Sequence, residues 1–113
     1  MNDNCLFCKI IQGQIPATKL FEDSEVLAFA DVNPQAPTHF LVIPKRHLCG
    51  PSAATEADEA LLGKIMRVGA ELAKARGIEG FRLVLNNGAE AGQTVFHLHL
   101  HVLGGRPLTW PPG

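Results

Sequence analysis

The segment Phe96-His97-Leu98-His99-Leu100-His101-Val102-Leu103 alternates imidazole and apolar side chains almost throughout. Strict period two is the pattern of a half-buried strand, whose successive side chains point to opposite faces. It predicts a strand from Val95 to Leu103 that sends Leu98, Leu100 and Val102 to the core and all three histidines to the other side. Successive histidine Cα atoms on such a strand lie roughly 6.5 Å apart, near enough for the rings to share one substrate group or a metal.

The remaining segments say what sheet this strand joins. Leu20-Phe21-Glu22 and Val26 to Asp31 read as two strands turning at Asp23-Ser24, whose side chains can bond local backbone. His39 to Ile43, bounded by Pro37 and Pro44, is a third, and Phe81 to Leu85 a fourth. A short helix over Cys5 to Gln12 ends at Gly13. A long amphipathic one follows Thr55, Asp58 and Glu59, carries apolar residues at Leu61, Leu62, Ile65, Met66, Val68, Leu72 and Ala73, and stops at Gly77. Asn86 to Thr94 reads as a polar glycine-containing loop. The order predicts a single α+β domain over residues 1–113 with a mainly antiparallel five-stranded sheet, one long helix and one short one. The GxGxxG turn of a dinucleotide-binding fold does not occur.

Charge narrows the partners. Ten Lys and Arg oppose eleven Asp and Glu, without a basic stripe, so neither a nucleic-acid backbone nor a membrane surface is expected and a small molecule is. Met1-Asn2-Asp3-Asn4 lacks the basic start of a signal peptide and no long apolar run follows, which leads us to expect a soluble cytoplasmic protein. The three cysteines, Cys5, Cys8 and Cys49, do not make a disulfide framework.

Three chemistries fit three imidazoles on one face: a solvated surface, a three-histidine metal site, or a nucleophile with its helpers. Spacing does not choose among them. Cys5-Leu6-Phe7-Cys8 has the C-x-x-C spacing of a zinc half-site, and His47 offers a further ligand, while two buried helix-face cysteines are the plainer interpretation. Gly92-Gln93-Thr94 offers backbone N–H groups, an amide and a hydroxyl suited to phosphate oxygens, although an ordinary glycine loop has the same composition. Asp31 can accept from two ribose hydroxyls or simply start a turn. Trp110, on a proline-rich tail, is expected to cover its own domain or a partner.

His97-Leu98-His99-Leu100-His101-Val102-Leu103 resembles the signature of the histidine triad family, and the likeness extends over Phe21-Glu22-Asp23, Asp31, Pro34 to His39, Gly92-Gln93-Thr94 and Trp110-Pro111-Pro112-Gly113. That ending resembles the Hint branch, whose members are homodimeric and hydrolyse adenosine phosphoramidates. The resemblance implies a purine nucleoside phosphoramidate hydrolase that needs no cofactor for catalysis. His99 would attack phosphorus to give a nucleotidyl-histidine, and His101 would contact the phosphate and help protonate the departing amine. His39 and His97 would support the proton network. Asn86, Gly92, Gln93 and Thr94 match phosphate-contacting positions and Asp31 a ribose-binding one. Leu6, Phe7, Ile10, Ile15, Phe29, Val32 and Leu41 match an apolar base pocket, although each is equally a candidate core residue. Trp110 would reach toward the other subunit's site. Some bacterial relatives bind zinc through a cysteine pair, a loop histidine and the first triad histidine, here Cys5, Cys8, His47 and His97, which would make the metal structural. The alternatives carried forward are a nucleotide-binding regulatory protein with vestigial turnover and a dinucleoside polyphosphate hydrolase. A related transferase branch has glutamine where this chain has His101.

Overall fold

A computed structural model gives the structure of residues 4–113; the polar start Met1-Asn2-Asp3 lies outside the described residues. The chain runs through α1 (Leu6–Ile11), β1 (Lys19–Glu22), β2 (Val26–Ala30), β3 (Thr38–Pro44), α2 (Glu59–Ala75), β4 (Phe81–Leu85) and β5 (Leu100–Gly104). All pairings are antiparallel, in the order β1-β2-β3-β5-β4, so the last strand inserts between β3 and β4. This is the expected α+β architecture. Among the described residues no helix is long and apolar enough to cross a membrane.

Helices cover both faces of the sheet's centre, which is why β2 and β3 are apolar almost throughout rather than alternating. On one face Val26, Ala28, Phe40, Val42, Leu98, Leu100 and Val102 pack against Ile65, Val68 and Ala73 of α2. On the other, Leu27, Phe29, Leu41 and Ile43 pack against Cys5, Phe7, Cys8 and Ile10 at α1. A full burial of side chains this size stabilises by about 1.5–3 kcal/mol each, so this double layer fixes the strand register.

The long helix is preceded by a turn of 3-10 helix, Glu56–Asp58, in which the Thr55 N–H donates to Asp58 Oδ2 at 2.9 Å. Arg46 pairs with the same buried carboxylate. At the far end Gly77 adopts a φ of 77°, the left-handed conformation that ends a helix at little cost. Lys64 reaches from α2 to Asp23 and Glu25, both at 2.7 Å, and ties the helix to the β1–β2 turn.

One boundary differs from expectation. The strand predicted from Val95 pairs only from Leu100, and residues 95–99 are irregular. The Leu98 N–H donates to the Leu48 carbonyl at 2.6 Å rather than to a neighbouring strand. The alternation of faces nonetheless holds across the junction: Leu98 joins Leu100 and Val102 against α2, and the histidines lie on the α1 side.

Candidate functional site

His99 lies just before β5, 7% exposed, with its ring edge-on to Phe7 of α1 at 5.1 Å between centroids. Its Nδ1 is 2.7 Å from the His97 carbonyl oxygen. A carbonyl only accepts, so Nδ1 carries the proton and Nε2 is left as the lone-pair nitrogen. The His101 ring stands 4.9 Å from it, again edge to face.

The same deduction runs through the neighbouring pair. The Gln35 backbone N–H donates to His39 Nδ1 at 3.0 Å, which leaves the His39 proton on Nε2. That Nε2–H donates to His101 Nδ1 at 2.9 Å and also lies 3.3 Å from Asp31 Oδ2. His101, accepting at Nδ1, therefore presents Nε2–H as a donor. Burial pushes His101 down to about 4, helped by His99 and His39 and opposed by Asp31. Burial also lowers His39, again against Asp31. Both rings are neutral near pH 7. Asp31, His39 and His101 are close enough to suggest a metal site. Ligation through His39 Nε2 would require a proton on Nδ1 facing the Gln35 N–H, so the chemistry disfavours one.

A cleft of about 430 Å³ opens beside these rings, lined by His99, His101, Asp31 and Thr94. All seven apolar residues matched to a base pocket line it: Leu6, Phe7, Ile10, Ile15, Phe29, Val32 and Leu41. Phe7, Ile10, Phe29 and Leu41 are buried and serve as core and wall at once, whereas Leu6 and Val32 are exposed at 43% and 101% and are not core. Asp31 starts a turn and also lines the cleft. Its Oδ1 accepts the Asn33 N–H at 2.8 Å in a turn, while the carboxylate lines the cleft.

The loop before the triad departs from its expected role. Gln93 is buried, its Nε2 donating to the carbonyls of Cys49 and Val95 at 2.7 and 3.1 Å while its Oε1 accepts the Gly88 N–H at 2.7 Å. The backbone N–H groups of Gly92 and Gln93 bond to Ala89 and Gly88. In this conformation Gly92 and Gln93 brace the loop rather than cradle phosphate. Gly92 has a φ of 97°, which closes the 3-10 turn, and the Asn86 amide lies beside it. Thr94 is exposed and lines the cleft.

His97 is also placed differently. Its imidazole is fully buried and its Nε2–H donates to the Pro44 carbonyl at 2.8 Å, so Nδ1 holds the lone pair. That nitrogen faces Cys5 Sγ at 3.4 Å, Cys8 Sγ at 3.6 Å and His47 Nδ1 at 3.2 Å, and Cys8 Sγ lies 3.3 Å from His47 Nδ1. The ring is thus outside the His39–His101 network, and only the His97 backbone carbonyl reaches His99. Burial lowers His97 to about 4 and raises the Cys5 thiol. Zinc in regular tetrahedral geometry sets its ligand nitrogens about 3.3 Å apart, and nitrogen and sulfur about 3.6 Å apart. The four donors fit it, with the Pro44 carbonyl fixing the tautomer from behind. Cys49 Sγ lies 3.7 Å from His47 Nε2, the outer side of this cluster.

Trp110 does not cover its own domain: it is 81% exposed. The tail leading to it is held by Arg82, which donates to the Thr109 carbonyl at 2.8 Å, and by Arg106, which donates to the Gln35 carbonyl at 2.9 Å. Sequence pattern did not reveal the Gln35 and Arg106 contacts, because one uses a backbone group and the other spans 71 residues.

Known proteins share this fold. The HIT domain family matches residues 12–108. An uncharacterized HIT-like protein of Synechocystis is 59% identical over 114 residues, spanning the whole of both chains. A HIT family hydrolase from Legionella pneumophila superposes with a TM-score of 0.95 at 54% identity, covering 97% of this chain and 100% of that one. A histidine triad protein from Clostridium difficile gives 0.92 at 42% identity over 96% of each. With the family match extending over most of the chain and the fold shared at this identity, the protein belongs to the HIT family.

Proposed function

We propose that the protein is a hydrolase of purine nucleoside phosphoramidates, of the Hint type, working through a nucleotidyl-histidine. The observation that carries this is the His99 orientation: Nδ1–H is tied to the His97 carbonyl, which leaves Nε2 as the nitrogen free to attack on a ring that lines the cleft. The hydrolase named among the solved relatives supports the reaction class. The apolar slot between Phe7 and Phe29 suits a planar base, Asp31 suits ribose hydroxyls, and Thr94 with the Asn86 amide suits phosphate.

His99 Nε2 attacks the α-phosphorus as the P–N bond to the amine breaks. The amine leaves with the bonding pair and takes a proton from solvent. Water then displaces the imidazole, gives its proton to solvent and releases the nucleoside monophosphate. His101 donates its Nε2–H to the phosphoryl group or the departing nitrogen, as a neutral donor rather than an imidazolium acid. His39 orients it.

Zinc held by Cys5, Cys8, His47 and His97 would be structural, fixing the segment whose carbonyl holds His99. The exposed Trp110 favours a homodimer in which the tail approaches the partner's cleft and influences leaving-group choice. A chain truncated before Trp110 with an unchanged ranking of leaving groups would refute that role.

The deciding measurement is release of AMP from an adenosine phosphoramidate by the protein and by His99→Ala at matched folding and metal content. Turnover lost in the variant supports the proposal. No turnover by either, with nucleotide still bound, favours a binding protein instead.

A further inference from the structure

The tautomer of the His39–His101 pair is set by the donor that faces His39 Nδ1 together with the Asp31 carboxylate beside Nε2. That donor is a backbone group, the Gln35 N–H, in an exposed loop between Pro34 and Pro37. A loop N–H keeps its direction only if the peptide on either side is held. Local bonds hold one side: Asn33 N–H donates to Asp31 Oδ1 at 2.8 Å, and the Gln35 side-chain amide donates to the Asn33 carbonyl at 3.0 Å. The other side is held from far along the chain. Arg106 Nη2 donates to the Gln35 carbonyl at 2.9 Å, while its Nη1 donates to the Pro107 carbonyl at 3.1 Å. Gly105, at a φ of 92°, lies so close to Pro37 that a Cβ there would come within 2.9 Å of the Pro37 Cβ.

We infer that Arg106 is a positioning residue for the reaction, acting through Gln35 to hold His39 in the Nε2–H tautomer. The bonds form a continuous series: Arg106 to the Gln35 carbonyl, the Gln35 N–H to His39 Nδ1, and His39 Nε2–H to His101 Nδ1. If the Gln35 peptide turns away, Nδ1 loses its donor and either ring nitrogen can carry the proton. A proton on Nδ1 leaves Nε2 without one, His101 then loses its donor, and its own tautomer is released as well. The same turn would open the Asp31, His39 and His101 donors to a divalent cation. The segment between β5 and Trp110 thereby sets the protonation pattern of the site. No residue of the base pocket takes part in this series, so the effect belongs to turnover rather than to nucleotide binding.

This inference rests on the proposed phosphoramidase reading for its kinetic consequence, but its structural readout does not. Nitrogen-15 correlation spectra of the histidine rings report which nitrogen carries each proton. In the unaltered protein His39 gives the pure Nε2–H pattern. In Arg106→Ala it becomes a mixture of tautomers, kcat falls about three- to thirtyfold, and KM for the phosphoramidate is unchanged. Arg106→Lys, which keeps one donor in reach, restores most of both. Gln35→Ala, which keeps the backbone N–H but loses the side-chain bond to the Asn33 carbonyl, shifts His39 toward the same mixture. An Arg106→Ala protein that folds and keeps a pure Nε2–H pattern at His39 overturns the inference, whatever its activity. Should that variant fail to fold, a pure pattern and full kcat in Arg106→Met, which keeps an apolar stem and no donor, overturns it equally. If the unaltered protein hydrolyses no phosphoramidate, the functional proposal fails while the spectra still decide this one.

Discussion

Helix α2 crosses the triad strand at Gly69, and the two glycines of that helix make an internally controlled test of how tightly. A Cβ on Gly69 would meet Leu100 Cδ2 and Val102 Cγ2 at 3.1 Å each and Val42 Cγ2 at 3.6 Å. These neighbours are at most 1% exposed and sit on β3 and β5, each paired on both sides, so none has room to retreat. Gly63, one and a half turns earlier, has nothing within 4 Å of the same construction. Replacing a mid-helix glycine by alanine gains about 0.5–1 kcal/mol of backbone entropy at either position. Overpacking at Gly69 costs about 1–3 kcal/mol against that gain. Gly63→Ala is therefore stabilised, Gly69→Ala is neutral to destabilised by about 2 kcal/mol, and the two differ by about 1–3 kcal/mol. In denaturant titration the difference is read from paired midpoints at constant slope, and in melting it is about 4–12 °C. Equal stability of the two variants would refute the close crossing. Because Leu100 and Val102 flank His101, Gly69→Ala should also slow turnover.

Two further outcomes follow from the site. Burial holds His101 at about 4, so at that ring the unfolded chain binds more protons than the native one between about pH 6.5 and 4, and the lowered His39 adds to this in the same direction. Their contribution to stability is present above pH 6.5 and is lost as pH falls through that window. Stability measured by denaturant titration should therefore fall as pH drops through that window, and a stability that does not change there would contradict neutral, ordered rings. The zinc proposal predicts one metal per chain by elemental analysis of zinc-supplemented protein, loss of it in Cys8→Ser, and a lower melting temperature after chelation. Absence of stoichiometric metal would sink that proposal.

Period-two alternation made the triad legible, because side-chain direction at residues 97–102 survives even where strand pairing has stopped. The five strands and two helices were legible for the same reason: apolar periodicity and glycine and proline stops are local signals. What was not legible was every role assigned to a backbone group. The carbonyls of His97, Leu48 and Pro44 and the N–H of Gln35 decide tautomers and strand boundaries, yet each residue type offers those groups equally. Gln93 shows the reverse problem. Its amide suits phosphate on chemical type, but the two carbonyls and one N–H around it consume that capacity. Sequence spacing leaves His97 between the proton network and the cysteine cluster, because it gives a face and not a ring's rotation, which the Cys5–Cys8 pair and Pro44 determine.

His97 belongs to two centres at once, its ring to the cysteine cluster and its carbonyl to His99. Side-chain replacement at this position therefore interrogates only the cluster, and a damaged His97 variant says nothing direct about catalysis. The catalytic half is reached by chemistry on the main chain. An ester in place of the His97–Leu98 amide weakens the carbonyl as an acceptor and deletes the Leu98 N–H that bonds Leu48, while leaving every ligand atom of the cluster intact.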